Sequence, residues 1–159
     1  MKRFRGSYVL KVDDRGRIKV PSQYLSILTE QYGQELYVTS VNGDRVYLYP
    51  LKIWEGIEQS IEKMKVRSPE VQEYISRTSF WGNESEVDGR GRILIPPELR
   101  KKSQLNGNTN LRIFGEINYM VVWNEELFKE KSLSGEFSDE KMQIVSRLIH
   151  ESSTLSGDE

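Results

Sequence analysis

The chain has 159 residues, 36% hydrophobic and 30% charged, with 23 Lys plus Arg against 24 Asp plus Glu for a net charge of −1, which describes one ordinary domain or two very small ones. It contains no Cys and one His, His150, in a polar tail; disulfides, thiolate metal sites, iron–sulfur clusters and a Cys nucleophile are excluded, and a Ser-His-Asp triad is not expected. The basic start Met1-Lys2-Arg3-Phe4-Arg5-Gly6 precedes no apolar run of signal-peptide length, and no stretch reaches the ~20 apolar residues that span a bilayer, so a soluble cytoplasmic protein without membrane contact is expected.

The charges are segregated. Met1 to Lys19 holds seven basic residues and two acids, a net +5, whereas Glu116 to Glu159 holds ten acids and four bases, a net −6. Such asymmetry points to a surface that faces a polyanion, with acidic helices elsewhere.

In chain order, Tyr8, Leu10 and Val12 alternate with Ser7, Val9 and Lys11, the period-two pattern of a half-buried strand. After a tight loop, Ile18 and Val20 point one way and Arg17 and Lys19 the other. Pro21 ends that strand and suits the start of a short helix from Ser22 to about Thr29. A hairpin follows, Leu36 to Val41 and Arg45 to Tyr49 around Asn42-Gly43-Asp44, because Asn-Gly between alternating segments favours a two-strand turn. Ile53, Trp54, Ile57, Ile61 and Met64 recur at helical spacing, and Ser68-Pro69-Glu70 opens a further helix carrying Val71, Tyr74 and Ile75. A strand over Arg92 to Ile95 and a short helix from Pro97 to about Ser103 come next. Then follow a hairpin from Leu111 to Trp123 with weaker turn chemistry, and a helix from Asn124 to Lys131. A last amphipathic helix, Ser138 to about His150, places Met142, Val145, Leu148 and Ile149 on one face, and Ser152 to Glu159 is expected to be disordered. An apolar helix face of that kind favours oligomers. Trp54, Trp81 and Trp123 are expected to be core or interface anchors.

The elements come in two copies. Val12-Asp13-Asp14-Arg15-Gly16-Arg17-Ile18-Lys19-Val20-Pro21 returns 75 residues later as Val87-Asp88-Gly89-Arg90-Gly91-Arg92-Ile93-Leu94-Ile95-Pro96, and Leu36-Tyr37-Val38 returns as Leu111-Arg112-Ile113. Each copy is too small to bury a sufficient core, so the halves are expected to share one.

The repeated Asp-x-x-Gly-Arg loop combines an acid at a strand end, a Gly able to take positive φ and flanking guanidinium groups. It lacks the pattern of a phosphate-binding P-loop and of a dinucleotide fingerprint. Arg suits phosphate and bidentate reading of guanine, while an adjacent Asp can orient it. The alternative is a structural Asp–Arg bridge that closes the turn, and the two roles are compatible. Asp13 and Asp14 invite an acid–base reading, but Asp14 corresponds to Gly89 and no nucleophile accompanies them. No enzyme activity, metal, cofactor or small-molecule substrate is therefore expected.

The N-terminal Phe4-Arg5-Gly6, the two Val-Asp-x-x-Gly-Arg-Ile-x-Val/Ile-Pro motifs and Leu48-Tyr49-Pro50-Leu51 ahead of Trp54 carry a resemblance. From roughly Phe4 to Lys131 the chain resembles the MraZ family of bacterial transcriptional regulators. The resemblance implies an α+β fold, a tandem SpoVT-AbrB swapped-hairpin β-barrel of pseudo-two-fold symmetry with flanking helices. It implies half 1 over 7–54, a helical connector over 55–81, half 2 over 82–126, and C-terminal helices with a flexible tail over 127–159. It also implies a sequence-specific DNA-binding regulator that assembles into a ring homo-oligomer and binds promoter repeats of the division and cell wall gene cluster, its own gene included. The expected partners are thus double-stranded DNA and further copies of the chain, and the expected location is the nucleoid.

Carried over by motif position, Asp13 with Arg17 and Asp88 with Arg92 are the signature ion pairs, Gly16 and Gly91 the loop glycines, and Arg15 and Arg90 the neighbouring basic positions. Arg17 is the expected main DNA contact, with Arg5, Lys11, Arg15 and Lys19 adding phosphate attraction and Arg90 and Arg92 contributing from the second copy. Leu94, where the first copy has Lys19, predicts a smaller contribution from the second loop. The alternative is an AbrB-like antitoxin or oligomeric interaction scaffold whose Asp–Arg loops are structural.

Overall fold

Period-two alternation and turn chemistry yield eight strands in a computed structural model that describes residues 1–156. The order is β1 (Ser7–Leu10), β2 (Arg17–Lys19), α1 (Ser22–Ile27) with a π-helical turn at Leu28–Tyr32, β3 (Glu35–Thr39) and β4 (Val46–Pro50), then α2 (Leu51–Glu62) and α3 (Pro69–Phe80). The second copy supplies β5 (Asn83–Glu86), β6 (Arg92–Leu94), α4 (Pro97–Lys102), β7 (Leu111–Gly115) and β8 (Met120–Asn124), followed by α5 (Glu125–Ser132) and α6 (Asp139–Ser156). Met1–Leu127 forms one unit and the residues from Phe128 another.

The fold is α+β with antiparallel strands. Six strands make one sheet in the order β1-β7-β8-β4-β3-β5, and β2 and β6 make a separate ribbon. This corrects the closed barrel expected from the resemblance. At each Asp-x-x-Gly-Arg loop the chain turns out of the sheet, so β2 and β6 pair with each other and leave β1 and β5 as open edges.

The two copies exchange strands. β1 of the first pairs with β7 of the second, Tyr8 opposite Ile113 and Leu10 opposite Leu111, while β5 of the second pairs with β3 of the first, Ser85 opposite Leu36. The ribbon is centred on Ile18 opposite Ile93, which are equivalent positions of the repeat, and the sheet on Tyr47 opposite Val121. A pseudo-two-fold axis therefore relates the copies, and neither can complete its sheet alone.

One face of the sheet, with Leu36, Val38, Val46, Leu48 and their counterparts Leu111, Ile113, Met120 and Val122, is sealed against Ile18, Val20, Ile93 and Ile95 of the ribbon segments. Full burial of side chains of this size is worth about 1.5–3 kcal/mol each, which makes the shared core the dominant stabilising feature. Tyr24 of α1 and Leu99 of α4 close its two ends. On the opposite sheet face Trp54 stacks on Tyr37 with ring centroids 4.6 Å apart. Buried Trp123 carries the Arg45 guanidinium 4.3 Å above its ring, so both indoles anchor packing. Helix α3 starts at Ser68, whose Oγ accepts from the Val71 N–H with Pro69 in the first turn.

In the second unit, Ser138 Oγ accepts from the Lys141 N–H at the start of α6. The helix runs to Ser156. This corrects the expectation of disorder over Ser152 to Ser156: the chain stays helical there, with the Thr154 hydroxyl donating to His150 O, one turn back, at 2.6 Å. The rest of that expected disordered stretch lies outside the described residues. Met142, Leu148 and Ile149 on α6 are exposed.

Candidate nucleic-acid interface

Each Asp-x-x-Gly-Arg loop is a β-turn followed by a left-handed glycine. In the first, the Gly16 N–H donates to Asp13 O at 3.1 Å and the Asp13 N–H to Arg17 O at 2.8 Å. Gly16 then takes φ +80°, a conformation that side-chain-bearing residues adopt only with strain. Asp13 Oδ1 accepts from the N–H groups of Arg15 and Arg17 at 2.9 and 2.8 Å, and its Oδ2 accepts from Arg17 Nε at 2.9 Å. The second loop repeats this arrangement. Asp88 Oδ1 accepts from the Arg90 and Arg92 N–H groups, both at 2.9 Å, Oδ2 accepts from Arg92 Nε at 3.0 Å, and Gly91 takes φ +76°.

These donors favour the carboxylate. The Arg17 backbone N–H is the leading cause that holds Asp13 below its ordinary pKa of 3.8, and the Arg92 N–H does the same for Asp88. Asp13 and Asp88 therefore stay ionised and fix Arg17 and Arg92 through Nε alone. Among the described residues the Nη atoms of Arg17 and Arg92 meet no hydrogen-bond acceptor. The structural bridge and an outward guanidinium edge thus coexist in one side chain.

The ribbon arranges the other cations. Ile18 and Ile93 point into the core, so Arg17, Lys19, Arg92 and Leu94 share the opposite face, with Arg17 across from Leu94 and Lys19 across from Arg92. Arg15 and Arg90 are exposed at the loop tips, and Lys11 is exposed just before the first loop. Arg5 is not part of this group. It lies at the other end of β1, where Phe4 bridges to Ile117 and Gly6 O accepts from the Gly115 N–H, six residues from Lys11, or roughly 20 Å of extended chain.

Two cations that sequence reasoning passed over stand beside the first loop. Arg100 and Lys101 of α4 line, with Val12, Asp13 and Asn106, a groove of about 720 Å³ against Gly16. Any Cβ at Gly16 would collide with the Arg100 guanidinium. The run Arg100-Lys101-Lys102 was visible in the sequence, but only strand exchange puts the second copy's helix beside the first copy's loop. At the second loop the equivalent helix is α1, and uncharged Leu25 occupies the place of Arg100.

Residues 3–73 match the model of the family described as "MraZ protein, putative antitoxin-like". The chain is 35% identical over 127 residues to the "Transcriptional regulator MraZ" of Acidobacterium capsulatum, which covers 80% of this chain and 86% of that protein. The chain belongs to the MraZ family. A MraZ protein of Koribacter versatilis with the same name is 33% identical over 91% of the chain and 98% of its own length, and one of Mannheimia succiniciproducens is 31% identical over 85% and 93%. The likeness to these MraZ relatives therefore extends well past the first copy. Among the described residues no helix is long and apolar enough to cross a membrane.

Proposed function

We propose that this chain is a sequence-specific DNA-binding transcriptional regulator that represses its own promoter and the division and cell wall gene cluster. The observation that carries the reading is the cationic face of the ribbon. Arg17, Lys19 and Arg92 project from one side of a two-stranded element, with Arg15 and Arg90 at its loop tips, and a β-ribbon is narrow enough for a DNA major groove. Asp13 and Asp88 preorganise the two guanidinium groups, which lowers the ordering cost of a contact. The family name of the relatives supports the same reading.

The strand exchange between copies supports a tandem SpoVT-AbrB arrangement, one chain standing in for a dimer. One ribbon makes few contacts and binds weakly. Several chains in a ring engage spaced promoter repeats at high effective concentration, so oligomerisation becomes part of specificity. The exposed apolar face of α6 is consistent with further self-association, and the nucleoid is the site of action.

The test is fluorescence anisotropy against DNA from upstream of the chain's own gene and a shuffled control, across a salt series. The reading expects preference for the upstream DNA and an affinity that falls with salt by about 0.9 in log–log slope per phosphate contact. Equal, weak binding of both DNAs overturns it. In that event the Asp–Arg loops are structural and the antitoxin-like or protein-scaffold alternative takes its place.

A further inference from the structure

The ribbon's outer face holds one residue that does not fit a purely electrostatic surface. Leu94 is 44% exposed, sits directly across from Arg17, and occupies the position equivalent to Lys19 in the repeat. Nearly half of the leucine's surface is left in water between Arg17 and Arg92, on the side of the ribbon away from the core that Ile18 and Ile93 fill. Its apolar surface continues sideways. Leu94 borders a groove of about 290 Å³ shared with Phe80, Trp81 and Pro96, and Phe80 is itself 67% exposed. The cationic face therefore contains an apolar edge on the side of the second copy only.

Within a major groove, cations attract phosphates and guanine edges, while the apolar feature available to a leucine is the C5-methyl group of thymine. We infer that Leu94 is a specificity-determining residue that packs against a thymine methyl in the operator, next to the base step that Arg17 addresses. The inference rests on the DNA-binding reading above. It makes the two halves of the ribbon unequal readers: the Lys19 side is tolerant of sequence, and the Leu94 side selects thymine and prefers one orientation of each repeat.

The test compares the upstream duplex with the same duplex in which every thymine is replaced by uracil, which removes the methyl and keeps the pairing and the charge. Wild type is expected to bind the uracil duplex about fourfold more weakly, the loss of one buried methyl. Leu94→Ala is expected to bind the thymine duplex more weakly by a similar factor and to be indifferent to uracil. Leu94→Lys is expected to bind both equally, with a salt slope steeper by about 0.9. Val66→Ala, an exposed change on the connector, is expected to retain the thymine preference. Equal binding of both duplexes by wild type, or a thymine preference that survives in Leu94→Ala, overturns the role of Leu94 and leaves the DNA-binding reading standing. Absence of salt-sensitive binding to either duplex overturns both.

Discussion

Gly16 and Gly91 sit in two loops whose hydrogen bonds agree to within 0.1 Å, yet the first lies under the Arg100 guanidinium and the second under the Leu25 side chain. The local motif sets the loop, because each bond joins residues within four positions of one another. The environment comes from the other copy. Strand exchange lays α4 of the second copy on the first loop and α1 of the first copy on the second loop, so the charge around each loop is decided far along the chain, by Arg100 for Gly16 and by Leu25 for Gly91. The same holds on the ribbon, where Lys19 and Leu94 are equivalent in place and opposite in character. Divergence between the copies has left the loops alike and made their surroundings unlike.

The largest expected effect breaks or confirms the functional half of that contrast. Arg17→Ala is expected to weaken binding to the upstream DNA by about 1–3 kcal/mol, the range for one guanidinium at a base edge. Arg92→Ala, with matching loop geometry but Leu25 in the place of Arg100 beside its loop, is expected to cost less. Arg17→Lys keeps the charge and loses the fork, and should fall between wild type and Arg17→Ala. Thermal melts of each variant separate lost contact from lost fold. Equal losses at Arg17 and Arg92 would mean that the surroundings do not matter.

A second pair sharpens the structural half. Gly16→Ala and Gly91→Ala both force a side-chain-bearing residue into the left-handed region, at roughly 1–2 kcal/mol each, and should lower the melting temperature by several degrees. The strain is the same in both loops. The neighbours differ, since a Cβ at Gly16 displaces a flexible guanidinium end and one at Gly91 meets the Leu25 Cδ2 methyl at 2.9 Å. Gly91→Ala should therefore be the more damaging to stability, and Gly16→Ala the more damaging to DNA affinity through Arg100.

Much of this was legible in the sequence, for a physical reason. Alternation in Tyr8-Val9-Leu10 and Arg17-Ile18-Lys19, the Asn42-Gly43 turn and the 75-residue repeat are local signals, and they gave the strands, the loops and the Asp–Arg pairs. Three features were not local. β5, Asn83-Glu84-Ser85-Glu86, has no apolar alternation and is a strand because β3 offers it an edge. Phe4-Arg5-Gly6 is echoed by Phe80-Trp81-Gly82, one residue off the repeat offset, but Phe4 is buried against Tyr24 and Phe80 is exposed at the end of α3. Arg5 belongs to the basic N-terminus and is still separated from the loop by the length of β1. The role of Arg100 and Lys101 depends entirely on strand exchange, which no pattern within one copy records.

Acid tests the loops' likeness. Asp13 and Asp88 have lowered pKa values in the fold, so each contributes stability that is fully present above its ordinary 3.8 and is lost as pH falls through the lower folded value. Melting temperature should decline as pH drops from about 5 towards about 2. Asp13→Asn and Asp88→Asn should each flatten that decline by the same amount, and the double variant by about twice as much. Unequal flattening would show that α4 and α1 reach the carboxylates after all.

The smallest expected effect isolates the charge that α4 brings. Lys101 corresponds in the repeat to Ser26 of α1, an exposed residue whose hydroxyl donates to Ser22 O at 3.1 Å. Lys101→Gln removes one cation beside the first loop and should reduce the log–log salt slope of DNA binding by about 0.9 if that cation meets a phosphate, with little effect on melting temperature. Ser26→Lys makes the reciprocal change at the second loop: it introduces a better helix former than serine and adds the missing cation. If the two loops differ only in what the partner copy lays over them, Ser26→Lys should steepen the slope by a similar amount and restore part of the affinity lost in Lys101→Gln. A slope that responds to Lys101 and ignores Ser26 would place the DNA on the first loop alone, with the second loop turned away from it.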